Sequence, residues 1–168
     1  AEINFMASFL KDSTKYAKRD GLRYQVNRKS KIDQLRGELD ALEKRRDSEA
    51  WPNAAADIKR KRGQMAEVET REHWSTIEAG TDPLYSAAVH EFLHAIDARR
   101  GWGLSNELER RIKGKVRPDG LPLIRPTEYA TVNISEQFAE VGAALASKIK
   151  VDPVIAKAYI DLMNEVID

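Results

Sequence analysis

The sequence contains no cysteine, which excludes disulfides, thiolate metal ligands and a cysteine nucleophile within the chain. The compartment stays open, because chains without cysteine occur on both sides of a membrane. No apolar run approaches the ~20 residues that a membrane-spanning helix needs. Nothing in the first residues looks like a signal peptide: Glu2 stands where a basic segment would be, the apolar stretch is short and no cleavage pattern follows. The first residue is Ala1 rather than methionine, so a processed product or a domain cut from something longer is expected. An excess of one charge is lacking too. The 28 Lys and Arg against 27 Asp and Glu leave a net charge of +1, too weak a field to argue for nucleic acid or an acidic membrane.

What is present is a chain of 168 residues, 42% hydrophobic and 33% charged, which fits one globular unit with a sizeable core. Charge is placed unevenly. Residues 11 to 72 carry 17 Lys and Arg against 12 Asp and Glu. From about Lys29 to Glu72 glycine and proline are rare, and Ile32, Leu35, Leu39 and Leu42 recur at helical spacing in a narrow apolar seam. Trp51-Pro52-Asn53 interrupts the pattern, and a second helical stretch runs from Ala54 to Arg71. A hairpin of two long helices joined near Pro52 is expected. Its basic clusters, Lys44-Arg45-Arg46 and Lys59-Arg60-Lys61-Arg62, read as the solvated face of amphipathic helices more readily than as a docking surface for a protein partner or an acidic surface.

Beyond the hairpin, His73 to Ala79 holds β-formers at Trp74, Thr76 and Ile77, which predicts an edge strand able to pair with an extended substrate. Thr81-Asp82-Pro83 is a helix start, with Asp82 as cap and Pro83 in the first turn, and the helix should end at Gly101. Glycines and prolines then make residues 101 to 128 mostly loop around a short helix from Asn106 to Ile112. Asn133 caps a helix to about Lys148, and Asp152-Pro153 opens the last one.

Chemistry concentrates inside the helix that Pro83 opens. His90-Glu91-Phe92-Leu93-His94 is an HExxH pattern. Residues four apart lie one turn apart, so two imidazoles converge on one metal ion. With His90 at zero on the wheel, His94 falls near ~40°, Asp97 near ~340° and Glu91 near ~100°. Val89, Phe92, Leu93 and Ile96 gather on another side as the expected core face, while the small Ala87 and Ala98 share the chemical face.

A catalytic zinc needs a third protein ligand and keeps one position for water. The extended pattern with a downstream histidine fails, because Asp97 and Arg100 occupy its glycine and histidine positions, and His73 lies upstream. By type, Glu107, Glu109, Asp119, Glu128, Glu136, Glu140 and Asp152 all qualify. Glu136 and Glu140 lie one turn apart, opposite the stripe of Ile134, Phe138, Val141 and Leu145 and flanked by Ala139 and Ala143. One could ligate while the other holds a histidine ring. Equally, they could form a solvated acidic face, or Glu136 could close a capping box with Asn133. Asp97 either orients an imidazole or is a solvated or arginine-paired carboxylate.

His90-Glu-Phe-Leu-His94-Ala-Ile-Asp97, followed by Tyr129-Ala-Thr-Val-Asn133-Ile-Ser-Glu136-Gln-Phe-Ala-Glu140, resembles the zinc metallopeptidases of the anthrax lethal factor and Pro-Pro endopeptidase type, which also occur in phage-encoded proteins. The resemblance covers about residues 83 to 148. It implies that Glu136 is the third zinc ligand, that Tyr129 stabilises the transition state and that Glu140 stands behind the ligands. The expected fold is mainly α with a small sheet, a zincin-like, gluzincin-type α+β domain over residues 73 to 168 after an N-terminal helical region over 1 to 72. The expected activity is that of a zinc endopeptidase acting on a protein or peptide, with Glu91 as general base for the attacking water. A secreted or translocated effector, or a phage-associated protein, is favoured. The rival is a structural or interaction module of a toxin or virion assembly, against which the intact Glu91 argues. Another rival is a nucleic-acid-associated peptidase that docks through its basic hairpin.

Overall fold

The computed structural model describes residues 2–48, 51–80 and 82–167. Seven α-helices and one short 3-10 turn make up the secondary structure of these residues: α1 (Glu2–Ser48), α2 (Ala54–Thr70), α3 (Thr76–Ala79), α4 (Pro83–Arg99), α5 (Gly103–Ile112), the turn Tyr129–Thr131, α6 (Ile134–Ala146) and α7 (Pro153–Ile167).

The hairpin forms, and its first arm is longer than the seam suggested. No proline interrupts residues 2–28, so α1 begins at Glu2 rather than near Lys29 and runs 47 residues, or ~70 Å. Leu35 and Leu39 of α1 are buried, as are Ala54 and Ile58 of α2. The basic clusters are largely matched by carboxylates. Lys61 pairs with Glu38 across the hairpin, Arg62 with Glu43 at 2.6 Å and Arg60 with Asp57 at 3.2 Å. At its other end α1 lies on α3 and α4, where Ala17, Ile77 and Ala87 share a small apolar cluster. Gly21 permits this approach, since a Cβ there would sit 2.6 Å from the Glu78 side chain.

The main core lies between α4, α5, α6 and α7 and is built on Leu93, Leu108, Phe138, Val141, Ile155 and Tyr159. From Gln137 to Ala144 every residue of α6 is buried. That helix is the axle of the fold.

Three expectations need correction. The small sheet of a zincin-like α+β domain is absent among the described residues, where the only β pairing is an isolated bridge between Val116 and Pro122. The expected edge strand from His73 to Ala79 is instead a short extended stretch followed by α3. The Ser75 side chain caps that helix by accepting from the Glu78 N–H, and a buried carboxylate takes the Thr76 N–H. Local capping therefore overrides the β propensity of Trp74, Thr76 and Ile77. Finally, the core face of α4 holds at Leu93, with Val89 and Ile96 packed against the same cluster, but not at Phe92. Phe92 is 63% exposed, while Ser86, Ala87, His90, Leu93 and Asp97 are buried. Helices α1, α3 and α6 pack over the side of α4 that carries His90, so the chemical face is also the buried face. Ala98 is exposed and lines no packed wall.

The starts of α4, α6 and α7 read from their caps hold, while α5 begins at Gly103 rather than Asn106. Asp82 accepts from the Tyr85 N–H and Pro83 opens α4; Thr81, also expected in this start signal, lies outside the described residues. Gly101 and Trp102 both take left-handed backbone (φ 60° and 61°) to end it. Asn133 caps α6 through the Glu136 N–H at 2.8 Å, and Asp152 accepts from the Val154 N–H at the start of α7.

Candidate metal centre

The two histidines project from α4 one turn apart, and Glu136 meets them from the first turn of α6. His90 Nε2 and His94 Nε2 are 3.1 Å apart. Glu136 Oε2 lies 3.2 Å from the former and 3.1 Å from the latter. These three residues form the cluster of donor atoms that could hold a metal ion among the described residues. Glu136 therefore leaves the capping box half-made. Its N–H binds the Asn133 side chain, and its carboxylate turns to the histidines.

What stands behind each ring fixes its chemistry. Glu140 Oε1 lies 2.9 Å from His90 Nδ1, off the line of a straight hydrogen bond. A carboxylate at that range places the ring proton on Nδ1 and leaves Nε2 a bare lone pair. Glu140 is fully buried and well supplied with donors. The Thr76 N–H donates to it at 2.9 Å, the Thr76 hydroxyl at 3.0 Å and the Thr127 hydroxyl at 2.5 Å. His94 Nδ1 lies 3.0 Å from the Ser135 hydroxyl, which lets that ring also turn a lone pair inward. Three lone pairs facing one another across ~3 Å repel unless a proton or a cation sits among them.

The same geometry sets the local electrostatics. Burial pushes the His90 pKa down, but the Glu136 and Glu140 carboxylates outweigh it and raise the value to about 9. Burial acts to raise Glu136, and the two histidines overcome it to hold the carboxyl at about 2. Burial, with Glu136 next, pushes the Tyr129 hydroxyl up to about 12, so it stays an O–H donor at neutral pH.

Tyr129 sits on the 3-10 turn, with its ring stacked against His90 at 6.0 Å between centroids and 23° between planes. Glu91, next to His90 on α4, is half-buried and makes no hydrogen bond or ion pair with a described residue. A cleft of about 570 Å³ opens beside the cluster, lined by His94, Ser135, Glu136, Ile134 and Trp102 among others. Trp102 is 48% exposed there.

Other sequence candidates are engaged elsewhere. The Asp97 carboxylate reaches neither imidazole nor an arginine. Its Oδ1 accepts the Leu104 and Ser105 N–H groups at 2.9 and 3.1 Å, capping α5. Glu107 binds Arg110 and Arg111, Glu109 binds Gln137, and Asp119 binds Arg117. Glu128 pairs with Arg71 at 3.0 Å, and Asp152 caps α7. His73 lies away from the cluster, 3.6 Å from Glu78. Sequence reasoning missed Ser135, whose hydroxyl meets His94, and Thr76 and Thr127, whose hydroxyls hold Glu140 behind His90. Only the adjacency of Ser135 to Glu136 hinted at any of them.

No protein-family profile matches the chain, and neither does any curated protein. No solved structure matches it either.

Proposed function

We propose that the protein is a zinc-dependent endopeptidase. The observation that carries this reading is the triangle of His90 Nε2, His94 Nε2 and Glu136 Oε2, with edges of 3.1 to 3.2 Å. Ligands bound tetrahedrally at zinc's usual distances are about 3.3 Å apart. Two imidazoles and one carboxylate are a zinc donor set, and three protein ligands rather than four is the count of a site left open for chemistry. Zinc held there would supply Lewis acidity and lower the pKa of water towards ~7.

The chain's own residues divide the remaining work. Glu91, unpaired and beside the cluster, accepts the proton of the attacking water and delivers it to the leaving amine. Tyr129 keeps its proton and donates a hydrogen bond to the oxygen on which charge develops. Glu140 and Ser135 hold the two imidazoles in the tautomer that ligation requires.

Metal analysis tests this first. Purified wild type is expected to hold close to one zinc per chain, Glu136→Ala to lose it and Glu140→Ala to keep most of it well below its melting temperature. A peptide library should then be cleaved by wild type and not by Glu91→Gln, which retains the metal. Absence of zinc after reconstitution removes the reading. Zinc without cleavage of any library leaves only a metal-binding module.

A further inference from the structure

Tyr129 stands on a three-residue turn, an element with little rigidity of its own. What holds it comes from the stretch between α2 and α3. Its backbone N–H donates to the Trp74 carbonyl at 2.7 Å, and the Glu128 N–H donates to the His73 carbonyl at 3.1 Å. The Trp74 ring lies 5.6 Å from the Tyr129 ring, on which His90 stacks in turn. Behind Trp74 comes Tyr24 of α1, at 6.0 Å. Four rings thus run in sequence from the hairpin to a metal-cluster histidine.

The stretch that carries Trp74 is gripped in the same way. Helix α2 has no basic residue in its last turn, and α1 supplies the missing donors. Arg28 donates to the Val68 and Glu69 carbonyls at 2.9 and 2.6 Å, the Tyr24 hydroxyl to the Arg71 carbonyl at 2.7 Å, and Gln25 to the Glu72 carbonyl. The Arg71 side chain then bridges Glu67 at 2.9 Å and Glu128 at 3.0 Å. Residues 68–74 are therefore pinned to α1 on one side and pin 128–129 on the other.

Resting on the peptidase reading, we propose that Trp74 is a positioning residue for Tyr129, through which the N-terminal hairpin is an integral part of the reaction site. The ring fixes where the tyrosine hydroxyl stands, and α1 fixes where the ring stands. A small displacement of a group that acts only in the transition state lowers turnover while leaving substrate binding nearly intact.

The test compares Trp74→Ala, Trp74→Phe and Tyr24→Phe, each with and without Tyr129→Phe. Zinc content should match wild type throughout. Trp74→Ala is expected to lower kcat by about tenfold to a hundredfold with KM within about twofold, Trp74→Phe to recover most of the loss, and Tyr24→Phe to cost less. In the Tyr129→Phe background Trp74→Ala should add almost nothing, because the group it positions is already gone. A second readout needs no activity. In metal-free protein with labelled tyrosine and histidine, nuclear Overhauser contacts between the Tyr129 and His90 rings should be lost in Trp74→Ala and largely kept in Trp74→Phe. Losses that multiply in the double variant, or Tyr129–His90 contacts unchanged by Trp74→Ala, would overturn the proposal. A wild type that cleaves nothing would instead remove the peptidase reading, and the ring contacts alone would then decide whether Trp74 holds Tyr129.

Discussion

Glu140 is a carboxylate without solvent contact, and three donors from Thr76 and Thr127 converge on it together with His90 Nδ1. Removing the acceptor strands those donors in the interior, at ~1–3 kcal/mol for each one left unmet. Glu140→Ala is therefore expected to lower unfolding stability by about 3 kcal/mol or more, measured by denaturant titration. A loss below half a kcal/mol would mean that the threonines find other partners. The His90–Glu136 cluster also predicts how metal-free protein responds to pH. His90, raised from 6.5 to about 9, contributes stability that is complete below pH 6.5 and disappears as pH rises to 9. Glu136, lowered from 4.5 to about 2, contributes stability that is present above pH 4.5 and lost as pH falls to 2. Melting temperatures of metal-free protein should decline on both flanks, and Glu136→Ala should make the alkaline decline shallower, because the hydrogen bond to Glu136 is the largest single influence raising His90, with Glu140 next. An unchanged alkaline flank in that variant would contradict this origin. At this scale the sequence revealed much of the site. Spacing alone paired His90 with His94, and it brought Glu136 and Glu140 onto one face. It could not assign Ser135, Thr76 or Thr127, because a hydroxyl that holds a buried group carries no periodic signal.

Elements were legible wherever a cap announces them. Asp82-Pro83, Asn133 and Asp152-Pro153 each start a helix at the expected residue, since a side-chain oxygen over free N–H groups is a local interaction. Orientation was less legible. The wheel for α4 assigned Phe92 to the core, but the partners of α4 cover the polar stripe around His90, and a single helix pattern contains no information about which neighbours arrive. The strand expected at 73–79 fails for a related reason, as its Thr76 N–H is claimed by Glu140, 64 residues away. The contact between α4 and α6 makes its own prediction. A Cβ on Gly142 would lie 2.4 Å from Leu93 Cδ1 and 2.2 Å from the Tyr159 hydroxyl. Overpacking of this kind costs about 1–3 kcal/mol, so Gly142→Ala should lower stability by that amount. Zinc content should stay close to wild type, because the Leu93 and Tyr159 side-chain ends can give way without moving the α4 backbone that carries His90 and His94. Calorimetry together with zinc content would check both halves.

Across the whole molecule, the hairpin and the helices of the candidate metal site are joined by packing at Ala17, Ile77 and Ala87, by the Arg71–Glu128 ion pair and by the Trp74 carbonyl that accepts the Tyr129 N–H. Bound metal should therefore stabilise more than its own pocket. At a free zinc concentration 100 times Kd the native state gains about 2.7 kcal/mol. Hydrogen exchange should slow in α2 as well as in α4 and α6. Protection confined to α4 and α6 would show that the hairpin opens by itself. The chain's three tryptophans make such a comparison possible by light alone. Trp51 lies at the hairpin turn with the Arg45 guanidinium over its ring at 5.3 Å, Trp74 is in the aromatic series and Trp102 is at the mouth of the cleft. Each senses a different region. Three proteins retaining one indole apiece would separate the emission of the hairpin tip, the surroundings of Tyr129 and the cleft beside His94. An acrylamide titration of each would then read, region by region, what closes when metal or peptide is added.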